Sequence, residues 1–440
     1  MALKSGLKNS LNKIREISST IYTQYVPIID DDTNIAEFAE PILSVPIVQN
    51  EFIGALVNRI VYTKLNTKRY NNPLRVLEGN TIPLGYAGQE IYTNPVKGRQ
   101  FNVNDFAGLL QKYESDVKIQ YTTINTDLQY PVTIDRHKLK QAFTSWETLE
   151  SFIDDVTNAL FNGAYIDMYN LSKGLVSTAF MNNGVQYKVV NDVTDKASGE
   201  SFTKIARELF LNFQTPSTEY NAWAKVGGYG RPVTTWTNPE DIVFLIRNDL
   251  RSKLDVDVLA NAFNIDKATL MGNIIGVNNF DVYSTETGKK VYDGSKILGI
   301  MADKSWFKIK TQDEQMDEFY NANNRTWNMY LNVTKMYNYS VFANACVFCT
   351  EAPVVNAESI SFEQVEPVTI VKNEYEGLEI VVKPATSNTP VTFTSNNENI
   401  KVEKIDDRNV KVTGVTAGNS VLTAKSGNVK GTVNITVTEN

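Results

Sequence analysis

The sequence predicts an α+β chain in two parts, a mixed helix-and-sheet body over residues 1–355 and an all-β sandwich over residues 356–440. Three observations carry this reading. From Asn356 onward helical periodicity stops, and short β-branched runs punctuated by Asn, Gly and Pro take over. Between Leu149 and Leu175 one apolar stripe recurs every three or four residues. Between Trp327 and Thr334 apolar and polar residues alternate with the period of a half-buried strand.

The elements follow in chain order. Met1–Arg15 is basic and amphipathic, with Leu3, Leu7, Leu11 and Ile14 at helical spacing. A Pro-containing segment, Ile28–Pro46, separates it from Val48–Ile53. From Leu56 to Gln120 strand-like and loop-like pieces mix, with turn signals at Asn71-Asn72-Pro73 and Gly79-Asn80; this reads as an extended excursion. A long helix follows. Thr144 is its expected N-cap, with Glu147 three residues on completing a capping box. Leu149, Ile153, Val156, Leu160, Ala164, Met168, Leu171 and Leu175 then form one stripe over about seven turns. Gly163 is the weak point of that helix, and the stripe is expected to be core. Ile242–Ile246, opened by Asn238-Pro239, is a continuous apolar run of buried-strand length. Asp255–Phe263 reads as a short helix and Lys296–Met301 as a second buried strand. Ala343–Phe348 is expected to pair with the long alternating strand that starts at Trp327.

In the tail the strand runs are Leu378–Val382, Val391–Thr394, Ile400–Val402, Asn409–Val412, Ser420–Ala424 and Thr432–Val437. Val433, Ile435 and Val437 alternate with Thr432, Asn434 and Thr436. Closely spaced strands of this kind favour a sandwich. The tail has no Trp, Cys or His, so it lacks both the antibody-type core pin and a reactive cluster. It reads as a binding or spacer module.

Composition narrows the function. The chain has 440 residues, enough for two or three domains, and a net charge of -7 with no Lys/Arg block that would mark a nucleic-acid footprint. No apolar run of membrane-spanning length and no signal-type leader occur, so the expectation is a soluble protein made in a cytoplasm, with no membrane partner. For the same reason the sequons at Asn332 and Asn434 carry no weight. The single histidine, His137, lies in the polar stretch Asp135–Lys138, which argues against His-built zinc sites and reads as surface. Cys346 and Cys349 form a C-x-x-C, but within a strand pattern rather than at a helix start, so they read as two buried cysteines in the last body strand. Gly227-Gly228-Tyr229-Gly230 lacks the Lys-Ser/Thr that a phosphate loop needs. Asp30-Asp31-Asp32 stands alone and reads as solvated. No acid, base and nucleophile set converges, and no catalytic residue, cofactor or metal is expected. The chain reads as a structural or assembly protein rather than an enzyme.

Two resemblances extend this. The tail is similar to the bacterial immunoglobulin-like group-2 domain through Ser395-Asn396-Asn397-Glu398, Val412–Gly418 and the closing strand to Val437. Gly414 and Gly418 are expected to supply turn conformations there. The body resembles the major capsid protein of small short-tailed, picovirus-like phages of Gram-positive bacteria. Asn71-Asn72-Pro73-Leu74-Arg75, Ile82-Pro83-Leu84-Gly85 and Glu90–Thr93 carry it first. Ala142–Trp146, Glu150–Phe152, Leu254–Ala260 with its Asp255, Ala302–Phe307 with Asp303 and Trp306, Arg325, and Phe342–Ala345 with Asn344 follow in order. The sequence departs from the family in loop lengths between residues 180 and 236. The resemblance implies an HK97-like fold with an N-arm, extended loop, spine helix, and peripheral and axial domains. It further implies pentamers and hexamers in an icosahedral or prolate shell and work with scaffolding and portal proteins. It implies a virion built in the host cytoplasm around packaged double-stranded DNA held without sequence-specific contacts, and an outward Ig-like domain that could meet a host-surface ligand. The competing readings are a surface adhesin, which should carry secretion and anchoring segments, and a hydrolase with a carbohydrate-binding tail, which should carry paired carboxylates.

Overall fold

The computed structural model describes residues 5–55, 70–83, 85, 88–100, 111–228, 230–254, 273–364 and 367–439. It divides into two compact units. The first comprises residues 1–88, 121–172 and 308–338, and the second residues 89–120, 173–307 and 339–440.

The first unit is built on helices packed against one face of a three-stranded sheet. Helix α1 (Ser5–Ile17) buries Leu7, Leu11 and Ile14, the stripe its spacing predicts. The chain then turns back along it through α2 (Thr20–Tyr25). Arg15 Nε donates to Val26 O at 2.7 Å, and Asn12 both donates to Ile29 O at 2.7 Å and accepts from Ile29 N at 2.8 Å. The Pro-containing segment holds a helix of its own, α3 (Ile35–Ser44), N-capped by Asn34; α4 (Pro46–Ala55) follows. Strand β3 (Thr126–Asp135) leads into α5 (Arg136–Ala142), then α6 (Trp146–Met181), the 36-residue helix whose N-terminal part belongs to this unit.

The helix starts one residue later than expected. Ser145, not Thr144, caps it: Ser145 Oγ accepts from Thr148 N at 3.1 Å, and Thr148 Oγ1 accepts from Ser145 N at 2.9 Å. Thr144 instead closes the preceding helix, its hydroxyl donating to Gln141 O at 2.7 Å. Leu149, Ile153, Leu160 and Ala164 are fully buried, and the helix runs unbroken through Gly163 because burial on both sides outweighs the roughly 1 kcal/mol that glycine loses to alanine. Leu171 is only half-buried, while Ser172, Lys173, Val176 and Ser177 are buried beyond it.

Strands β10 (Phe307–Asn321) and β11 (Thr326–Tyr339) complete the sheet in the order β10-β11-β3. β11 alternates as predicted, and Trp327, Met329, Leu331 and Val333 share one core with the α6 stripe and Phe38 and Phe52 of α3 and α4. Its partners correct the expectation. β11 pairs antiparallel with β3 in a register from Thr326↔Asp135 to Lys335↔Thr126, not with Ala343–Phe348.

The second unit contains that other strand. β12 (Ala345–Cys349) lies in a five-stranded sheet of order β4-β12-β9-β5-β6, with β4 (Gln186–Val189), β5 (Ile242–Arg247), β6 (Ile274–Val277) and β9 (Ile297–Asp303). It runs antiparallel to β9 and parallel to β4. β5 and β9 are the two buried strands the apolar runs predicted. Helix α7 (Lys196–Phe213) covers one face through Phe202, Phe210 and Phe213; Phe202 lies 5.2 Å from the Phe348 ring and 6.3 Å from Phe244. A short helix, α8 (Asn248–Lys253), follows β5, and β7 (Val282–Tyr283) pairs with β8 (Lys290–Tyr292). The predicted helix at Asp255–Phe263 lies outside the described residues.

The tail within this unit is all strands. β13 (Ser359–Phe362), β15 (Tyr375–Lys383), β18 (Asn409–Gly414) and β17 (Ile400–Lys404) make one sheet. β14 (Val368–Val371), β20 (Val429–Thr438), β19 (Gly418–Ser426) and β16 (Thr392–Ser395) make the other. Leu378, Val410 and Val412 from the first sheet share a core with Leu422, Val433 and Ile435 from the second. β13 and β14 are strands the sequence runs did not single out.

Candidate assembly surfaces

One surface is a two-stranded ribbon of β1 (Gly88–Thr93) and β2 (Val117–Thr122) in the excursion before α6. Strand alternation gives it two unlike faces. The inner face is fastened to other parts of the second unit, to which residues 89–120 belong. Tyr92 stacks on Phe342 at 5.6 Å and its hydroxyl donates to Thr234 O at 2.5 Å. Gln120 Nε2 donates to Tyr339 O at 2.8 Å, and its Oε1 accepts from Val341 N at 2.9 Å. Lys118 pairs with Asp116 at 2.8 Å and sits 5.6 Å over the Trp223 ring. Asn94 ties the strand end to Asp116, Pro232 O and Thr234 N. The opposite face turns Ile91 (59% exposed), Val117 (46%) and Ile119 (41%) to solvent. The ribbon is thus held firmly on one side and apolar on the other, the character that marks candidate interaction surfaces.

The N-terminal helices of the first unit carry a second such surface. Tyr22, Val26 and Ile29 point into the core, while Ile21, Tyr25 and Ile28 are exposed at intervals of four and three. Helix α4 packs beside α2, with Ser19 Oγ donating to Glu51 Oε2 at 2.7 Å, and exposes Ile47 one turn before that contact.

The family-motif positions have structural surroundings. Asn72 Oδ1 accepts from Leu74 N at 2.9 Å and caps a 3₁₀ turn, Pro73–Leu77, whose first position is Pro73. Arg75 is exposed and its carbonyl accepts from Glu78 N at 3.0 Å. Gly85 takes φ +77°, a conformation that favours glycine. Glu90 is on the half-buried inner side of β1. Trp146 lies 5.5 Å from the Phe38 ring. Two of these positions, Asp303 and Asn344, come together in the second unit, and Trp306 bonds nearby to Ser340. Asp303 N donates to Asn344 O at 2.8 Å, Thr237 bridges the Asp303 carboxylate and the Asn344 amide, and buried Trp306 receives Ser340 N on its carbonyl. Asp255 lies outside the described residues. In the tail, Gly418 takes φ +141°. Gly414 is not a turn residue: it ends β18, and a Cβ there would sit 3.0 Å from Val437 Cγ1 and 3.1 Å from Val371 O, so what a side chain would meet is tight packing rather than a strained turn.

The remaining motifs are placed as follows. His137 is exposed on α5. Cys346 and Cys349 are buried free thiols in β12. Burial pushes the first up to about 12 and the second up to about 11. Asp31 pairs with Lys8 at 2.9 Å, and the Thr33 hydroxyl beside Asp30 lowers that carboxylate's pKa. Gly227 and Gly230 have positive φ in an irregular turn. Sequence reasoning missed the ribbon's outward face: Val117 and Ile119 stand two residues apart, but Ile91 lies in the other strand, 26 residues earlier.

Comparison with known proteins shows what the chain is similar to. Residues 11–349 match the model described as Phi29-like phage major capsid protein. The major capsid protein of Bacillus phage B103 is 31% identical over 357 residues, covering 80% of this chain and 75% of that protein. That of Streptococcus phage Cp-1 is 25% identical over 343 residues, covering 76% of this chain and 92% of that protein. Among solved structures, a chain in the capsid structure of Staphylococcus phage Andhra is similar with a TM-score of 0.53 and 15% identity, over 68% of this chain and 90% of that one. A chain in the bacteriophage P68 structure of head fiber and inner core protein gp22 gives 0.50 and 15%, over 66% of this chain and 87% of that one.

Proposed function

Because the chain belongs to the Phi29-like phage major capsid protein family, we propose that its body, residues 1–355, is an HK97-like shell subunit and that residues 356–440 form an Ig-like domain displayed outside the shell. As a phage major capsid protein it associates with copies of itself in the virion. The finer reading is that copies form pentamers and hexamers, with scaffolding and portal proteins as partners and assembly in the host cytoplasm. The single observation that carries the reading is the family match from residue 11 to residue 349, which takes in the long helix, both body sheets and the outward ribbon.

The chemistry supports a shell rather than a ligand-binding machine. Repeated moderate contacts between copies, multiplied by closed symmetry, suffice to hold a shell. A chain with net charge -7 does not grip phosphates, so packaged double-stranded DNA can be filled in and released without sequence-specific binding. Asp303, Trp306 and Asn344 serve the fold in this reading, as joints between β9 and the chain entering β12.

Expression of the full chain with its phage's assembly factors, followed by sedimentation and negative-stain microscopy, tests the reading. Closed particles or capsomers are expected. A product that stays monomeric and folded under all such conditions overturns it.

A further inference from the structure

We infer that Lys173 and Asn279 join covalently within one chain, the lysine Nζ displacing the asparagine's side-chain nitrogen to leave an isopeptide bond inside the second unit.

Lys173 lies on α6, and its side chain is fully shielded from water. Its Nζ donates to Asn279 Oδ1 at 2.8 Å and to Asn278 Oδ1 at 3.0 Å. Both asparagines stand in the short segment between β6 and β7. That segment is held against the helix at a second point. Ser177, one turn beyond Lys173, donates its hydroxyl to the carbonyl of buried Phe280. The chain at Gly294 packs so close behind that a Cβ there would lie 2.2 Å from Phe280 O. Amine and carboxamide are therefore presented to each other by two fixed elements, the arrangement that turns a slow encounter into an intramolecular step.

Three features favour reaction over a plain hydrogen bond. A lysine in water is protonated and cannot attack. Burial holds Lys173 below the usual lysine value, although the nearby Asp281 carboxylate opposes that fall. The carbonyl under attack is already polarised: Asn279 Oδ1 also accepts from Asp281 N at 3.1 Å, so a backbone N–H meets the negative charge the oxygen gains. Third, the Asp281 side chain is only 13% exposed and is fixed in place. Gly294 N donates to its Oδ1 at 2.9 Å and the Tyr283 hydroxyl to its Oδ2 at 3.3 Å. So held, it can carry a proton between the two nitrogens.

Neutral Nζ adds to Asn279 Cγ and gives a proton to the Asp281 carboxylate. Asp281 passes that proton to Nδ2, the Cγ–Nδ2 bond breaks, and ammonia leaves past exposed Asn278. The products are one amide bond and one ammonia, with nothing oxidised or reduced. The link joins positions 106 residues apart, so it restricts the unfolded chain as a disulfide over a long loop does.

Mass spectrometry of the purified full chain decides the matter. After incubation at neutral pH the denatured chain is expected to be lighter than its sequence by one ammonia. Its tryptic digest is expected to contain one branched peptide with Lys173 joined to Asn279. An unlinked Lys173 peptide from a chain that melts cooperatively overturns the bond, even where ammonia has been lost elsewhere. A branch at Asn278 overturns the choice of partner. Lys173→Met and Asn279→Ala should each restore the sequence mass, while Asn278→Ala should still form the link. Asp281→Asn should keep the cooperative melt and leave the bond unmade. A bond formed as completely in that variant rejects Asp281 as the proton carrier.

Discussion

The Lys335 side chain is only 4% exposed, and the Glu78 carboxylate, 16% exposed, lies 3.2 Å from its Nζ. Two charges taken this far out of water depend on one another, because removing one leaves the other desolvated and unpaired. Glu78→Ala should therefore destabilise the chain by about 3–5 kcal/mol. The double change Glu78→Leu with Lys335→Met should lie much nearer to the parent. Denaturant midpoints of the three variants measure this, and a single variant as stable as the parent would show that water reaches the ammonium. The two cysteines make the opposite case, groups kept neutral by burial. Their folded-state values, raised to about 12 and about 11 from 9.0, mean the protonated thiols are favoured in the fold. That contribution is fully present below pH 9 and is lost as pH rises toward those values. Iodoacetamide at pH 8 should leave both thiols unmodified in the native chain and label both in denaturant, read by intact mass. Labelling of the native chain would place one of them at the surface.

Helix α6 shows how the elements were and were not legible. Its stripe was visible because one buried face repeats over many turns, and substitution of Leu160 by Asp, at the stripe's middle and fully buried, should abolish folding or assembly. A normal yield of intact particles would mean the stripe faces no core. Its start was misplaced by one residue because Thr144 and Ser145 are both good caps, and only the bonds distinguish them. Ser145→Ala should thus lower stability by about 1 kcal/mol, and Thr144→Ala by less, in paired thermal melts. The pairing of β11 with the strand at 345–349 failed for a reason readable in burial. β11 is wet on one face, whereas all five residues of β12 are buried, so β12 needed a sheet covered on both sides. The five-stranded sheet under α7 offers that. α7 itself carried a signal that was passed over: Asp195 and Ser198 form a reciprocal capping box ahead of Phe202, Ala206, Leu209 and Phe213 at helical spacing. The outward ribbon was missed because exposed apolar residues look like core in a sequence. Only the hydrogen bonds of Tyr92, Gln120 and Asn94 reveal which face is free.

For the whole molecule, the question is whether residues 356–440 contribute to the shell or ride on it. The tail has its own apolar core, in which Leu378 and Val412 of one sheet meet Leu422, Val433 and Ile435 of the other. A domain with an independent core should fold alone. Its attachment is short and polar. Asn388 Nδ2 donates to Pro353 O at 2.7 Å and its Oδ1 accepts from Val355 N at 2.8 Å, while Asn183 Nδ2 donates to Thr386 O at 2.8 Å. These bonds orient the tail without sharing its core with β4, β9 or β12. The family match ends at residue 349, before the first tail strand begins at Ser359, so what family members hold in common is complete without it. A chain ending at Val355 should therefore still assemble with particle yield close to that of the full chain. The isolated segment 356–440 should give β-type circular dichroism and one cooperative melt. On full-length particles, protease should release the tail while the body stays sedimentable. Loss of particles from a truncated chain whose body remains folded would make the tail part of the shell's contacts. The bonds from Asn183 and Asn388 would then be assembly joints rather than a mount.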